Sequence, residues 1–440
     1  MVSKVLVRLR RLSKRLAGSH FVGNVVTVGG GIAASQAIAL AFSPLLTRLY
    51  GPEAFGVAAA FATAVSIVTP LATLGYATAI VMPDRDEDAG ALARLSICCA
   101  LIVSPSSLLL IHLGRPWLVR WAGLEETPWV LYLIPLALVS SAFLSVTNQV
   151  AIRQSLYRAK ARAYVGSTFL TNLAKLAGGM LAPSGILLIL LTLAGTALNF
   201  LVQLLSVPRQ DVLKFRHWFG LGGLSNAART QRDFALYRMP QSVLRAASIG
   251  LPILLLTSLF GAGPAGQYAI TVLMLGAPVM LLGDAVGEVF YQKITKAIAC
   301  QSAEVGNLIK KATLVLLVLG GITFGIIAIY GGWIFPTAFG AQWSRAGEYS
   351  QWIALWMIAM LASRPAVSAM PALYLQKILL IYEMIVTACR GLALYAGSRF
   401  GDDLSSVAAF SLVNVAGYVA LISVVAFKQI FASRSTSRVS

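Results

Sequence analysis

Three basic side chains lie deep inside long apolar stretches of this sequence, where a charge is costly to bury. Lys175, Arg364 and Arg390 each interrupt such a stretch, and Arg48 stands at the end of another. A charge at the centre of a membrane helix costs about 2.5–3.5 kcal/mol, so it usually faces protein or water rather than lipid. Guanidinium groups hold phosphate oxygens in bidentate geometry, and lysine adds a point charge. These four residues predict a cationic lining for an anionic substrate, with structural ion pairing, such as Glu383 with Arg390, as the alternative.

Three acidic side chains accompany them and are candidates for binding a coupling ion. Asp284 and Glu288 are four residues apart, which places them on one face of a helix, and Glu383 precedes Arg390 by seven residues. Asp284 and Glu288 could equally extend to the water at the membrane surface. The four cysteines and three histidines show no metal-ligand or disulfide spacing. We therefore expect no metal, no cofactor and no catalytic residue.

The elements that must position these side chains are about twelve apolar stretches, each long enough to cross a membrane. Roughly 20 apolar residues in a helix span the ~30 Å hydrocarbon core of a bilayer. The 440 residues are 58% hydrophobic and 12% charged, and the apolar runs are continuous rather than alternating. This pattern predicts an all-α integral membrane protein rather than a β-barrel. The predicted spans are 21–46, 54–82, 94–113, 129–151, 163–182, 185–207, 241–260, 265–291, 312–332, 350–371, 374–397 and 404–427.

The basic residues between these spans fall almost entirely in alternate gaps. One set of gaps and tails holds 27 Lys and Arg residues, and the other set holds five. Basic residues in short loops stay cytoplasmic, so this asymmetry predicts that both termini are cytoplasmic. Membrane orientation and contact with anionic lipid also account for the formal charge of +19. We expect membrane lipid, and no nucleic acid, among the partners because no compact basic domain or recognition motif is present.

A short internal repeat divides the spans into two halves. Residues 45–56 read LLTRLYGPEAFG and residues 255–266 read LLTSLFGAGPAG, at an offset of 210. Six predicted helices separate the copies, so we expect two pseudo-symmetric six-helix lobes with the same orientation around a central cavity. The predicted segments are a basic cytoplasmic N-terminal segment 1–20, an N-lobe 21–207, a basic cytoplasmic linker 208–240, a C-lobe 241–427 and a cytoplasmic tail 428–440.

A motif near the start of the N-lobe resembles a known family. The sequence PLLTRLYGPEAFG at 44–56 follows Asn24 and Gln36, and it is followed by YATAI at 76–80 and by Pro83-Asp84. These residues resemble the start of polysaccharide flippases, the O-antigen and exopolysaccharide translocases of the multidrug/oligosaccharidyl-lipid/polysaccharide exporter superfamily. The second half of the chain is similar to the family through its layout and the degenerate repeat rather than through a sharp motif. The signature positions are Gln36, Pro44, Arg48, Gly51, Gly56 and Tyr76.

The resemblance implies movement of an oligosaccharide linked to a polyprenyl diphosphate from the cytoplasmic to the outer leaflet of a bacterial plasma membrane. Alternating access of a site between the lobes is the expected mechanism, in service of surface polysaccharide biosynthesis. Glycan polymerases and glycosyltransferases are the implied protein partners. The chain has no phosphate-binding loop of the G-x-x-x-x-G-K-[ST] type, so ATP is not expected to drive the movement directly.

Two other functions remain open from the sequence. A multidrug or metabolite exporter would share the architecture, although acidic rather than basic mid-span residues favour cationic drugs. A membrane glycosyl polymerase or ligase would act on the same kind of lipid-linked sugar, but it would require a sizeable external region for its catalytic groups. The longest external gaps, 114–128 and 333–349, are short, and they offer only Glu125, Glu126 and Glu348 as acidic residues.

Overall fold

The computed structural model describes residues 20–122, 127–206, 218–220, 222–299, 305–370 and 375–436. These residues form fourteen α-helices and no β-strand. Each of the twelve predicted spans overlaps a long helix, so the prediction of an all-α membrane protein is confirmed. The helices are α1 His20–Leu49, α2 Pro52–Ala72, α3 Tyr76–Ala79, α4 Asp86–Ala122, α5 Ile134–Arg153, α6 Tyr157–Leu181, α7 Gly185–Leu205, α8 Leu224–Thr230, α9 Met239–Phe260, α10 Ala262–Ala299, α11 Val305–Phe339, α12 Ser344–Ala369, α13 Gln376–Phe400 and α14 Asp403–Thr436.

Nine of the described helices are long and apolar enough to cross a membrane, namely α1, α2, α4, α5, α7, α9, α11, α12 and α14. The other three predicted spans fall on α6, α10 and α13, which have 25, 38 and 25 residues. About 20 residues suffice to cross the hydrocarbon core, so the length of each of these helices also allows a span. Two of the three helices carry the buried-charge candidates Lys175 and Arg390.

The second predicted span, 54–82, differs from the structure because it is not one continuous helix. Helix α2 ends at Ala72, and the chain then turns through positive φ angles of 48° at Leu74 and 77° at Gly75. A Cβ at Gly75 would lie 2.9 Å from the backbone oxygen of Phe234. Glycine therefore satisfies both the left-handed backbone angle and the close approach of a second segment.

The chain forms two compact units. Unit 1 comprises Met1–Leu49 and Phe61–Gly250, and unit 2 comprises Tyr50–Ala60 and Leu251–Ser440. The segment boundaries predicted from the sequence stay a prediction. Residues 1–19 of the predicted N-terminal segment, residues 208–217 and 221 of the linker and residues 437–440 of the tail lie outside the described residues.

Unit 1 is built from helix pairs that approach closely at small residues. Helix α1 packs along α6, α4 along α5, and α7 against both α5 and α6. A Cβ at Gly31 of α1 would lie 2.6 Å from the Cβ of Ala161 in α6, so glycine allows this approach. The core includes Ile80, Val150 and the fully buried Trp218, which follows the α7 span in the chain.

Unit 2 is organised around α12. This helix packs against α10, α11 and α14, and α13 packs against α14. Tyr349 and Ile353 of α12 are fully buried in a core that also includes Tyr268 of α10 and Phe324 of α11. Small residues of α12, among them Ala354, Ala359 and Ala362, are buried, which allows the neighbouring helices to approach closely.

A charged network ties the start of α12 to the turn between α13 and α14. The guanidinium of Arg345 forms ion pairs with Glu348, Asp402 and Asp403, and the distance to Glu348 is 2.6 Å. The backbone N–H of Ser405 donates to the Asp402 carboxylate at 3.0 Å. The Ser405 N–H and the Arg345 guanidinium hold the pKa of the Asp402 carboxyl well below its usual range.

The two copies of the repeat contact each other inside unit 2. A Cβ at Gly56 would overlap the carbonyl oxygen of Ala262, and a Cβ at Gly266 would overlap that of Pro52. Positions 52 and 262, like 56 and 266, correspond at the offset of 210. The first turns of α2 and α10 therefore cross through two equivalent glycines. Of the glycines that bound the repeat turns, only Gly261 has a positive φ, at 88°, so Gly56 and Gly266 are required by packing rather than by backbone angle.

Candidate functional site

Arg364 occupies a groove that a glycine leaves open. It lies on α12, is half-buried, and extends along Gly283 of the neighbouring helix α10. A Cβ at Gly283 would be 2.7 Å from the Arg364 Nε, 3.2 Å from its Cζ and 3.3 Å from its Cδ. Any other residue at position 283 would therefore compete with the guanidinium for the same space. Sequence reasoning identified Arg364 but missed Gly283, which nothing in the sequence distinguishes from other glycines in the spans.

Arg390 of α13 is held by two side chains of α14. Its Nε donates to the Asn414 Oδ1 at 2.8 Å, and its guanidinium also forms a hydrogen bond with the Tyr418 hydroxyl. Asn414 is only 2% exposed, and its Nδ2 donates to the backbone oxygen of Phe410 at 2.8 Å. Asn414 and Tyr418 are four residues apart and so lie on one face of α14. That polar pair within the predicted span 404–427 is the signal from which the site could have been found.

Tyr418 interacts electrostatically with both Arg390 and Arg364, so α12, α13 and α14 each contribute a side chain to a polar region of unit 2. The buried Tyr268 of α10 also interacts electrostatically with Arg390 and with Tyr418. We call Arg364, Arg390, Asn414 and Tyr418 the arginine site. Two guanidinium groups can bind an anion.

Glu383 does not neutralise Arg390. Glu383 is exposed on α13, and no ion pair within 4.0 Å joins it to Arg390 in the described part of the chain, although two helical turns separate them. It interacts electrostatically with Tyr382 and Tyr418 instead. The alternative interpretation, in which Arg390 forms an ion pair with Glu383, is therefore wrong. The hydrogen bonds of Arg390 go to Asn414 and Tyr418, which carry no charge.

The other two predicted cations belong to unit 1. Lys175 is half-buried on α6, where the Asn172 Nδ2 donates to the backbone oxygen of Thr168 at 2.8 Å on the same face. Arg48 is exposed in the last turn of α1, where a basic residue complements the helix dipole. The structure thus places Arg364 and Arg390 in unit 2, and it places Lys175 and Arg48 on different helices of the other unit.

The remaining candidates have differing outcomes. The side chains of Asp284 and Glu288 lie outside the described residues, so their role in ion coupling stays a prediction. Among the signature positions, Tyr76 is buried in the core of unit 1 and Gly56 lies at the crossing of the repeat copies. Gln36 is half-buried on α1. Within the described ranges, no group of three or more His, Cys, Asp or Glu side chains could hold a metal ion.

Solved structures of membrane transporters share this fold. The chain is similar to a multidrug resistance transporter of the MATE family in an inward-facing conformation, with a TM-score of 0.68 and 14% identity over 91% of this chain and 96% of that one. It is similar to the lipid II flippase MurJ in an inward closed conformation, with a TM-score of 0.70 and 12% identity over 93% and 92% of the two chains. A third similar structure is a MOP superfamily transporter from Pyrococcus furiosus, with a TM-score of 0.56 and 15% identity over 94% and 95%.

These likenesses establish the two-lobe fold of the MOP superfamily. A search of curated protein sequences gives no match. The family model described as "Polysaccharide biosynthesis protein" matches residues 45–348, which include both copies of the repeat. This match covers more than half of the sequence, and it agrees with the family that the motif at 44–56 resembles. The chain is a multi-pass membrane protein that belongs to the polysaccharide biosynthesis protein family.

Proposed function

We propose that this protein flips a polyprenyl-diphosphate-linked oligosaccharide from the cytoplasmic to the outer leaflet of a bacterial plasma membrane. The observation that carries the proposal is that two arginines lie within apolar helices of unit 2, Arg390 hydrogen-bonded to the buried Asn414 and Arg364 in the groove at Gly283. A diphosphate carries negative charge on two adjacent phosphoryl groups, and guanidinium is the side-chain group that best matches phosphate oxygens. Two arginines in one unit suit such a head group.

The partners of the two arginines support an anion as the ligand. A membrane-embedded arginine is costly unless a carboxylate, water or a ligand compensates it. Arg390 is oriented by the Asn414 amide and the Tyr418 hydroxyl, which fix its direction and leave its charge in place. Arg364 lies in the groove at Gly283, which fixes its position without adding charge. The orientation of Arg390 by these uncharged groups therefore supports a site for an anionic phosphate head group.

Family membership and fold support the same proposed function, the flipping of a lipid-linked oligosaccharide. The description of the family places its members in polysaccharide biosynthesis, and one of the similar structures is by its title a lipid II flippase. Arg48 and Lys175 would assist the anionic head group along its way, and Asp284, Glu288 and Glu383 would couple its movement to an ion. The asymmetry of 27 basic residues against five supports cytoplasmic termini.

An exporter of cationic drugs is the second candidate, since the chain also shares its fold with a multidrug resistance transporter. The arginine site disfavours that candidate because two guanidinium groups repel a cation. An anionic substrate is the simpler match to the charges that unit 2 contains.

The experiment that tests the proposal removes the two charges and measures flipping. We expect Arg364→Gln and Arg390→Gln each to lower the rate of movement of a lipid-linked oligosaccharide in proteoliposomes by about 10- to 100-fold, the range of one charge-assisted hydrogen bond of ~1.5–3 kcal/mol. Arg399→Gln is the matched control, because Arg399 is exposed near the end of the same helix and bonds to Tyr395 one turn before it. Normal rates in the double variant, at equal protein level, would refute the proposal.

A further inference from the structure

The described part of the chain between α7 and α9, residues 218–220 and 222–238, packs onto the rest of unit 1. Trp218 is fully buried, and Ala227 and Phe234 pack into the same core cluster as Tyr76 and Ile80. The inner face of this segment is therefore apolar and attached to the unit. It is a folded element rather than a loose connection.

Polar contacts and glycines fix the segment in place. The Arg94 Nε donates to the backbone oxygen of Gly222 at 3.0 Å. Gly223, with a φ of 78°, begins α8, and a Cβ there would lie 3.1 Å from the Cβ of Ala91. Gly75 meets the backbone of Phe234 from the other side. Because each of these contacts lies between the segment and unit 1, the outer face of the segment has a defined orientation.

The outer face combines basic and large apolar side chains. Leu236 is 60% exposed and Tyr237 is 72% exposed. We call the exposed basic and large apolar residues of this region the linker surface; they are Phe219, Arg229, Arg232, Leu236, Tyr237, Arg238 and Arg245. Asp233 is the one acidic residue among the described positions 218–245. Arginine mixed with leucine and tyrosine is typical of elements that lie at the boundary between headgroups and acyl chains.

The neighbouring loops belong to the same end of unit 1 and do not neutralise the linker surface. Arg153, at the end of α5, forms an ion pair with Asp86 at 2.8 Å and so joins the loop after α3 to the α5–α6 turn. The loop after α3 and the first turn of α4 carry four acidic residues, and the same region carries six basic ones, namely Arg85, Arg94, Arg153, Arg158, Lys160 and Arg162 against Asp84, Asp86, Glu87 and Asp88. These residues therefore add no net negative charge to this end of unit 1.

We propose that the linker surface binds the anionic phospholipid headgroups of the leaflet on its side of the membrane. Its arginines would contact lipid phosphates, while Leu236 and Tyr237 would insert between the headgroups. The attraction is electrostatic and apolar together, as in other basic amphipathic elements. The site is separate from the arginine site in unit 2, so the proposal holds whatever substrate the transporter moves.

The experiment titrates purified full-length protein in detergent with phosphatidylglycerol or with phosphatidylcholine and follows the midpoint of thermal unfolding. We expect phosphatidylglycerol to raise the midpoint and phosphatidylcholine to have a smaller effect. The variant with Arg229→Gln, Arg232→Gln and Arg238→Gln should need about a hundredfold more phosphatidylglycerol for the same shift, because each arginine near an anionic surface contributes about fivefold.

The control variant replaces the same three arginines by lysine and should keep the response to phosphatidylglycerol. A high salt concentration should weaken the response of the unchanged protein, as expected for charges at an exposed surface. An undiminished response in the glutamine variant would overturn the proposal. So would an equal shift with inorganic phosphate, since that result would indicate a site for free phosphate rather than a lipid surface. Arg364→Gln should leave the response intact, which separates this test from that of the proposed function.

Discussion

Replacing Gly283 by alanine should disable the arginine site while leaving the fold almost unchanged. The added Cβ would lie 2.7 Å from the Arg364 Nε and 3.2 Å from its Cζ. Ordinary contacts between such atoms begin near ~3.5 Å, so the guanidinium must move by roughly 0.3–0.8 Å or leave the groove. The atoms that must move belong to the end of a flexible side chain rather than to the backbone.

The size of the effect on the free energy of unfolding depends on which atoms move to make room for the added Cβ. Overpacking a rigid core costs about 1–3 kcal/mol, but a side chain that can rotate away relieves most of that strain. We therefore expect Gly283→Ala to change the free energy of unfolding by less than about 1 kcal/mol. A displacement of the guanidinium by part of an ångström weakens charge-assisted hydrogen bonds of ~1.5–3 kcal/mol, so the flipping rate should fall about 10-fold or more.

The assay measures both quantities on one preparation, with thermal unfolding in detergent and movement of a lipid-linked oligosaccharide in proteoliposomes. Gly276→Ala is the matched control on the same helix, since no described atom lies within 4 Å of a Cβ at that position. The control should retain both stability and rate. If Gly283→Ala transported at the normal rate, or if it lost stability and rate in proportion, the assignment of Gly283 as a positioning residue for Arg364 would be refuted.

Three further predictions concern other parts of unit 2. Gly56→Ala should destabilise the protein by more than about 2 kcal/mol because its Cβ would overlap backbone atoms of Ala262. The control Gly51→Ala meets no described atom within 4 Å and should have little effect on thermal unfolding. Equal stability of the two variants would contradict the close contact between α2 and α10 at Gly56. Asn414→Leu should release the Arg390 guanidinium and lower the flipping rate about 10-fold, and an unchanged rate at equal protein level would show that the hydrogen bond does not matter. The pKa of Asp402 is depressed in the folded protein, so its contribution to stability is present above the unfolded value of ~3.9 and is lost as the pH falls through the lower folded value. Asp402→Asn should therefore flatten the dependence of the unfolding midpoint on pH below about 4, and an unaltered dependence would contradict this assignment.

The helices could be predicted from the sequence because the membrane imposes a simple length and composition on each of them. Each of the twelve apolar runs falls on a long helix, and nine of these helices in the described part of the chain are apolar enough to cross a membrane. The break after Ala72 was missed because an apolar run does not reveal where a backbone adopts a positive φ, as it does at Leu74 and Gly75. The length and hydropathy of an apolar run indicate burial in lipid, but they do not indicate where the backbone turns.

The site was predictable only in part. The cost of a charge in a membrane drew attention to Arg364 and Arg390, and their role in binding a substrate stays a prediction. Their partners could not be deduced, because the choice of Asn414 rather than Glu383 depends on how α13 and α14 are rotated about their axes. Spacing along one helix placed Glu383 on the face of Arg390, but the neighbouring helix supplied the hydrogen bonds. The role of Gly283 depends on a side chain 81 positions away in the sequence.

The crossing of the two repeat copies restricts how α2 and α10 can move against each other. Gly56 rests on Ala262 and Gly266 rests on Pro52, so the helices touch at two symmetry-equivalent points rather than at one. Two helices that touch at one point can rotate freely about that point. Two contact points favour rotation about the line that joins them. The two contacts would therefore favour one direction of relative motion between α2 and α10.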